Sequence, residues 1–185
     1  ETGSSVFGRH LMKTFITAAL AALIVATGAQ AASVTVTMHQ TSAAGVGPIL
    51  GTVVFQDTAR GLRIAPNLSG LSEGEHGFHV HEHPSCDHKE KDGKHVPGLA
   101  AGGHFDPANT GKHLGPDGDG HLGDLPVLYA AADGTATRES YAARLKTSDL
   151  AGRSIMIHAG GDTYSDTPAP LGGGGARAAC GVGVY

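Results

Sequence analysis

The sequence predicts an all-β domain, arranged as a sandwich or a barrel of short strands. Glycine occurs 29 times in 185 residues, which indicates a chain with many turns. Short segments alternate apolar and polar residues, and turn residues separate them at close spacing. No convincing long helix is found, and this favours a sandwich or a barrel.

The strand pattern recurs in several segments along the chain. In the first, Val34, Val36 and Met38 alternate with polar neighbours, so one face of this strand is expected to be buried. The second is rich in β-branched residues, which favour strands. Asp133 and Gly134 are typical of a hairpin turn between two later strands. The predicted strands are 34–39, 49–56, 61–66, 77–82, 125–130, part of 135–145, 154–158 and 181–185.

The fourth predicted strand carries a pair of histidines. Phe78 and Val80 are expected to face the core, whereas His79 and His81 share the opposite, outward face. Because alternate side chains of a strand point to one side, both imidazoles can reach one metal ion.

A long irregular region follows, over residues 83–124, with many prolines and glycines. A loop of this length inside a compact domain is usually functional or disordered, and the density of histidines favours a function. His104, His113, His121 and Asp124 supply three nitrogens and a carboxylate, a set that suits tetrahedral zinc.

The N-terminal segment is predicted to lie outside the folded domain. Residues 1–11 precede the initiator Met12 and are interpreted as added sequence. A basic residue, a mostly apolar run over 15–25 and an Ala-Gln-Ala cleavage site predict a secretory signal peptide over 12–32. The alternative, a membrane anchor, is disfavoured because the apolar run is shorter than the roughly 20 residues that a span requires. The remaining domain, 33–185, is therefore expected to have no membrane span.

The charge of this domain limits its partners. Residues 33–185 contain 11 basic and 16 acidic residues, a formal charge of −5 with histidine neutral. This balance argues against nucleic acid as a partner. An anionic substrate would need local positive charge to overcome the overall field.

The chain contains two cysteines, Cys86 and Cys180. In an exported protein an even number suggests a disulfide, although two free thiols are the alternative. Closing a loop of nearly a hundred residues would add about 4–5 kcal/mol of stability in the chain-entropy model.

Six motifs, in order along the chain, closely resemble the copper,zinc superoxide dismutases of the bacterial periplasmic type. The resemblance covers residues 34–185 and implies a Greek-key β-barrel or sandwich of about eight antiparallel strands, with long metal-binding and electrostatic loops. The motifs are Gly-Phe-His-Val-His-Glu at 77–82, Gly-His-Phe-Asp-Pro at 103–107, Lys-His-Leu-Gly-Pro at 112–116, Gly-His-Leu-Gly-Asp at 120–124, Met-Ile-His at 156–158 and Arg-Ala-Ala-Cys-Gly-Val at 177–182.

The resemblance implies one Cu(I/II) and one Zn(II) per subunit. His104 would bridge the two ions through its two ring nitrogens. Asp162 would accept hydrogen bonds from a copper histidine and a zinc histidine, and such outer partners orient the rings. The implied copper ligands are His79, His81, His104 and His158, and the implied zinc ligands are His104, His113, His121 and Asp124.

The implied activity is the dismutation of superoxide to molecular oxygen and hydrogen peroxide. Copper would be reduced and reoxidised in turn, with His104 carrying a proton, while zinc would be structural. Arg177 matches the active-site arginine of the family, whose fixed charge and planar donors suit a small anion. The implied role is antioxidant defence in the periplasm.

Two further features follow from the resemblance. A Cys86–Cys180 disulfide would tie the long loop to the barrel near the arginine. Three lysines of that loop would steer superoxide, with solvated surface charges as the alternative, and Glu90 and Asp92 would dilute their field. These lysines are Lys89, Lys91 and Lys94.

Some questions remain open from the sequence. His83, His88 and His95 could form an accessory metal site at the rim of the loop or could be surface histidines, and we interpret them as surface residues. His76 is interpreted as structural. A non-catalytic metal-binding or copper-delivery protein on the same scaffold is the alternative function. The family that the chain resembles includes monomers and dimers, so the oligomeric state is left open, with a homodimer possible.

Overall fold

The computed structural model describes residues 1–3 and 31–183. The predicted added segment and signal peptide therefore lie almost wholly outside the described residues. Residues 31–183 belong to one compact unit. Within the described residues, no helix combines the length and apolar character needed to cross a membrane.

Strands and short 3-10 turns make up the regular structure of the described residues, so the prediction of an all-β fold is confirmed. The 3-10 turns are Leu99–Ala101, Thr147–Leu150 and Pro170–Gly173. The strands are β1 Ser33–Ser42, β2 Gly45–Thr58, β3 Gly61–Leu68, β4 Gly74–His76, β5 Phe78–His81, β6 Lys89–Lys91, β7 Lys94–Val96, β8 Leu128–Ala130, β9 Ser140–Ala142, β10 Ser154–His158 and β11 Arg177–Val182.

The main sheet has seven strands in the order β5-β10-β11-β1-β2-β3-β9, and every pairing in it is antiparallel. Two small sheets, β4-β8 and β6-β7, accompany it. The buried residues of β1 alternate with exposed ones as expected. The centre of the core is formed by Val36, Met38, Val53, Phe55, Leu62, Ile64, Phe78, Val80, Ile155 and Ile157.

The structure departs from the predicted strands at several places, and strand β4 was not predicted. The region 83–124 is not irregular throughout, because it contains the hairpin β6-β7. Its turn residues Asp92 and Gly93 have φ of 53° and 72°, as a tight hairpin turn requires, so the Asp-Gly signal was present in the sequence. The strand predicted at 125–130 is shorter, since Pro126 cannot donate to a ladder. The last strand begins earlier than predicted, at Arg177.

The outward face of β5 is not exposed to solvent, contrary to the sequence-based expectation. His79 and His81 are 0% and 1% exposed. The reason is that part of the long loop pairs with the free edge of β5. Val80 donates its N–H to Gly123 O at 2.8 Å and accepts from the N–H of Phe105 at 2.8 Å. The loop therefore covers the histidine pair.

The two cysteines form the predicted disulfide. Cys86 and Cys180 are bonded, with Cα atoms 5.6 Å apart, and the alternative of two free thiols is wrong. The bond attaches the start of the long loop to β11, the strand on which Arg177 lies.

Candidate metal centre

Two overlapping groups of buried side chains could each hold a metal ion. In each group, the potential ligand atoms lie within 4.8 Å of one another. The first group, called here the four-histidine group, consists of His79, His81, His104 and His158. The second group, called here the carboxylate group, consists of His79, His104, His113 and Asp124.

The strand pairing of β5 builds the four-histidine group. On one side β10 pairs antiparallel with β5, and its terminal His158 donates its N–H to Gly77 O at 2.8 Å. On the other side the loop forms isolated bridges that place His104 opposite His81 and Asp124 opposite His79. The three segments thus bring together side chains that are up to 79 positions apart in the chain.

His121 lies beside the carboxylate group rather than inside it. Its Nδ1 is 3.4 Å from Oδ1 of Asp124, and its ring centroid is 5.3 Å from that of His104. The sequence-based zinc set contained His121 and not His79. The structure therefore brings His121 to the edge of the expected site, and it places His79 within reach of both groups.

Each of the six expected histidine ligands has one buried ring nitrogen without a hydrogen-bond partner. Buried polar atoms are rarely left unpaired, because each costs about 1–3 kcal/mol. Nδ1 of His113 and Oδ2 of Asp124 approach to 2.9 Å without hydrogen-bond geometry, as two ligands of one ion do. The unpaired nitrogens are Nδ1 of His79, Nε2 of His81, Nε2 of His104, Nδ1 of His113, Nδ1 of His121 and Nε2 of His158.

The other ring nitrogen of several of these histidines is held by the protein. Nδ1 of His81 lies 3.0 Å from Gly102 O, and Nδ1 of His158 lies 3.1 Å from Gly175 O. Histidines that ligate metals typically donate their second N–H to such a partner, which fixes the tautomer. Imidazole nitrogens suit copper and zinc, so this donor set fits both ions.

Asp162 connects the two groups, as the resemblance implied. Its Oδ2 accepts from Nε2 of His79 at 2.8 Å, and its Oδ1 accepts from Nε2 of His113 at 2.7 Å. Burial alone would raise the pKa of Asp162, but hydrogen bonds from His113, His79 and the N–H of Tyr164 hold it below its usual range. The carboxylate is therefore ionised and orients both rings.

Gly172 is required for this arrangement. Its φ is +70°, and a β-carbon there would overlap Oδ1 of Asp162 and lie 2.8 Å from Nε2 of His113. The sequence shows a glycine run at this place, but nothing in it indicates that this glycine packs against the carboxylate.

The pKa values of the four-histidine group suit metal binding. Burial lowers the pKa of His79 to about 3 and that of His158 to about 4. Burial also lowers the pKa of His81 and of His104. These rings are therefore neutral at physiological pH, which is the form that ligates a metal.

The carboxylate group behaves differently. Burial alone would lower the pKa of His113, but the neighbouring carboxylates of Asp124 and Asp162 outweigh it and raise the pKa to about 9. Burial opposes ionisation of Asp124, yet its contacts with His104 and His113 hold its pKa below the usual range. In the metal-free chain this group therefore carries a histidinium between two carboxylates.

Arg177 lies against the turn that also holds His81. Its Nη1 donates to Gly98 O at 2.5 Å and its Nη2 donates to Gly102 O at 2.6 Å. Gly102 O is the same carbonyl that contacts Nδ1 of His81. Burial lowers the pKa of Arg177, but a guanidinium remains charged in proteins. The structure thus fixes a positive charge close to the four-histidine group.

The lysines of the hairpin β6-β7 share one face. Lys91 pairs with Lys94, and Lys89 pairs with Val96. Glu90 pairs with His95 and therefore lies on the opposite face. The three lysines are exposed. The negative charge of Glu90 consequently weakens the positive electrostatic potential of the three lysines less than the sequence suggested.

Arg144 is a residue that the sequence analysis missed. Its guanidinium donates to the carbonyl oxygens of Pro116, Gly120 and His121 at 3.1, 3.4 and 2.5 Å. These bonds hold the loop segment that carries His121. No motif surrounds Arg144 in the sequence, so no signal indicated this role.

His76 has the structural position that its sequence context suggested. Its Nδ1 lies 2.6 Å from His158 O and its Nε2 lies 2.9 Å from Ser72 O. The ring therefore joins β4 to the end of β10, next to the four-histidine group.

Comparisons with known proteins agree with this site. A family model described as "Copper/zinc superoxide dismutase (SODC)" matches residues 49–183. "Superoxide dismutase [Cu-Zn] 2" of Salmonella typhimurium is 54% identical over 165 residues, which are 89% of this chain and 95% of that protein.

Solved structures give the same result. The Cu/Zn superoxide dismutase from Brucella abortus is 56% identical, with a TM-score of 0.80, over 82% of this chain and 99% of that chain. The monomeric copper, zinc superoxide dismutase from Salmonella enterica is 55% identical, with a TM-score of 0.75, over 83% and 100% of the two chains. The predicted fold class is thereby confirmed.

Proposed function

Because this chain belongs to the copper/zinc superoxide dismutase family, we propose that its buried histidines form the centre at which superoxide is dismutated. The protein is an oxidoreductase that uses copper and zinc. The observation that carries the proposal is the set of five unpaired ring nitrogens that converge in the two groups, with a sixth, Nδ1 of His121, at their edge.

We assign copper to the four-histidine group, His79, His81, His104 and His158. We assign zinc to His104, His113, His121 and Asp124, since a carboxylate oxygen suits zinc better than reduced copper. When bound, copper supplies one-electron chemistry towards superoxide, while zinc, with a single oxidation state, organises the loop. For zinc, His121 is favoured over His79 because the free Nδ1 of His79 belongs with the four-histidine group, whereas its Nε2 is taken by Asp162.

His104 is the residue that the copper and zinc assignments share. Its Nε2 is free on the side of the four-histidine group, and its Nδ1 faces Oδ1 of Asp124 at 2.9 Å. The overall reaction converts two superoxide ions and two protons into oxygen and hydrogen peroxide. We propose that Nε2 of His104 takes up and releases one of these protons. Zinc bound at Nδ1, together with the burial of the ring, would keep that nitrogen in position.

Arg177 binds the anion in this proposal. Two carbonyl oxygens fix its guanidinium, so the charge and its remaining donors are preorganised for a small anion. Superoxide must approach a domain of net negative charge, which makes local attraction necessary. The exposed lysine face of the hairpin, Lys89, Lys91 and Lys94, is the proposed source of that attraction.

We place the enzyme in the periplasm, where it would remove superoxide. The predicted signal peptide over 12–32 supports export. The disulfide between Cys86 and Cys180 supports an oxidising compartment. Matching enzymes come from Gram-negative bacteria such as Salmonella and Escherichia coli, which is compatible with this location. Sedimentation of residues 33–185 would distinguish a monomer from a homodimer, which the sequence left open.

Pulse radiolysis of the copper- and zinc-loaded protein tests the function. We expect the decay of superoxide to accelerate towards the diffusional limit of about 10⁸–10⁹ M⁻¹s⁻¹, as in other enzymes of this activity. Protein loaded with zinc alone is the control and should be inactive. A fully loaded protein that left the decay rate unchanged would instead favour the copper-delivery alternative, although the complete ligand set and Arg177 argue against it.

A further inference from the structure

The hairpin β6-β7 has a second face that the proposed function does not use. Glu90 and His95 are directly opposite each other in the ladder. His88 lies two residues before Glu90, immediately ahead of β6, so its side chain is expected on the same side as Glu90 and His95. This face, called here the histidine face, therefore carries two imidazoles and a carboxylate, while the lysines occupy the other.

The two imidazoles of the histidine face are in contact. Their ring centroids are 4.5 Å apart and the ring planes are inclined by 66°. Within the metal centre, the rings of His79 and His158 are 4.9 Å apart at 63°, and those of His81 and His104 are 5.1 Å apart at 66°. The pair thus has nearly the same geometry as two histidine pairs assigned above to copper.

An unpaired nitrogen distinguishes His88 from the surface histidines. Among the described residues, six buried ring nitrogens without a hydrogen-bond partner belong to the metal centre, and the only other one is Nδ1 of His88. A buried imidazole nitrogen in a folded protein normally has a partner. The same signature that marks the metal centre therefore recurs on the hairpin.

A third donor is available from the ladder itself. Residues directly opposite in an antiparallel pair have β-carbons about 4.5–5.5 Å apart, so rotation of its side chain can bring the Glu90 carboxylate to an ion held by His95. The donor atoms of His88, His95 and Glu90 do not all lie within 4.8 Å of one another in the structure, so these residues do not form a third preassembled group. Binding an ion would therefore draw the exposed Glu90 side chain towards the two rings. Two imidazoles and a carboxylate form a set that binds zinc or copper(II), and copper(II) binds such sites most tightly.

We propose that His88, His95 and Glu90 form a third, surface-accessible metal site, with copper(II) as its preferred ion and zinc as a weaker one. Glu90 and His95 are exposed and His88 is half-buried, so the ion can exchange with solution. The interpretation of His88 and His95 as ordinary surface histidines is thereby replaced, whereas His83 retains it.

Equilibrium dialysis of the fully loaded enzyme against copper(II) tests the proposal. We expect one copper equivalent beyond the resident metals. His88→Ala and His95→Ala should each weaken it by more than about tenfold, since even loss of an outer partner of a metal ligand costs that much. Glu90→Gln should weaken it less. The resident metal content and the dismutase activity of each variant show that the fold is intact.

The control is His83→Ala, which removes a histidine outside the histidine face and should bind the extra equivalent as the unmodified enzyme does. Because His95 is exposed, His95→Gln remains a usable variant if His88→Ala does not fold. The proposal is overturned if no extra equivalent binds, if His95→Ala and His95→Gln retain it, or if His83→Ala loses it to the same extent.

Discussion

Replacing Gly172 with alanine should damage the zinc side of the centre through Asp162. The new β-carbon would overlap Oδ1 of Asp162 and lie 2.6 Å from its Cγ. Since β-carbons essentially never come within 3.0 Å of a non-bonded heavy atom, the carboxylate must move. It would then lose its bonds to His79 at 2.8 Å and to His113 at 2.7 Å.

The magnitude follows from these contacts. Hydrogen bonds to charged groups contribute about 1.5–3 kcal/mol each to the stability of the fold. Losing two of them therefore lowers the free energy of unfolding by about 3–6 kcal/mol. An alanine at a φ of +70° adds about 1–2 kcal/mol of backbone strain. Because Asp162 orients His113, we expect zinc affinity to fall about 10- to 100-fold, the usual effect of losing an outer partner of a ligand.

A neighbouring glycine provides the matched control. Gly173 has a φ of +76°, yet a β-carbon there would meet only Cβ of Ala169, at 3.4 Å. Gly173→Ala therefore carries the same backbone strain without touching Asp162. Competition with a chromophoric chelator measures the zinc affinity of both variants. Equal affinities in Gly172→Ala and Gly173→Ala would refute the role assigned to Asp162.

Four further outcomes are expected. His104→Ala should uncouple the metals, and an unchanged copper EPR spectrum would contradict a bridging role. Arg177→Ala should slow turnover with metal content unaltered; loss of copper would show instead that the arginine is structural. Cys86→Ser should lower the free energy of unfolding by about 4–5 kcal/mol, measured from urea midpoints at constant metal loading, whereas an unchanged midpoint would show that the disulfide does not stabilise the fold. Because the pKa of His113 is raised to about 9 in the metal-free chain and zinc requires the unprotonated ring, zinc affinity should rise with pH up to about 9. Calorimetry in buffers of different ionisation enthalpy should then detect proton release near pH 7, and its absence would exclude a protonated His113.

The sequence predicted the parts of the site that depend on local periodicity. The spacing of His79 and His81 placed both rings on one face of a strand, because side chains alternate along any strand. The motifs around His104, Asp124 and His158 then indicated their roles through a family resemblance. Periodicity could not predict that these rings are buried. The residues that shield His79 from solvent belong to the long loop and are far from it in the chain.

The missed features are those that depend on long-range approach. Arg144 binds three loop carbonyls, and no local pattern distinguishes it from other arginines. Gly172 matters because of a carboxylate ten positions earlier in the chain. The hairpin β6-β7, unlike Arg144 and Gly172, has a local signal in the sequence. Its Asp-Gly pair predicts a tight turn, although the surrounding loop was expected to be irregular.

The pairing of the long loop with β5 also protects the protein against edge-to-edge association of its sheet with other chains. In the main sheet β5 is a terminal strand, and its outer edge is covered by the bridges His79–Asp124 and His81–His104. An uncovered edge strand is a template for pairing with another chain. The residues assigned to the metals therefore also cap the sheet. Loss of the ions, by loosening the loop, would expose backbone donors and acceptors to neighbouring molecules and favour aggregation.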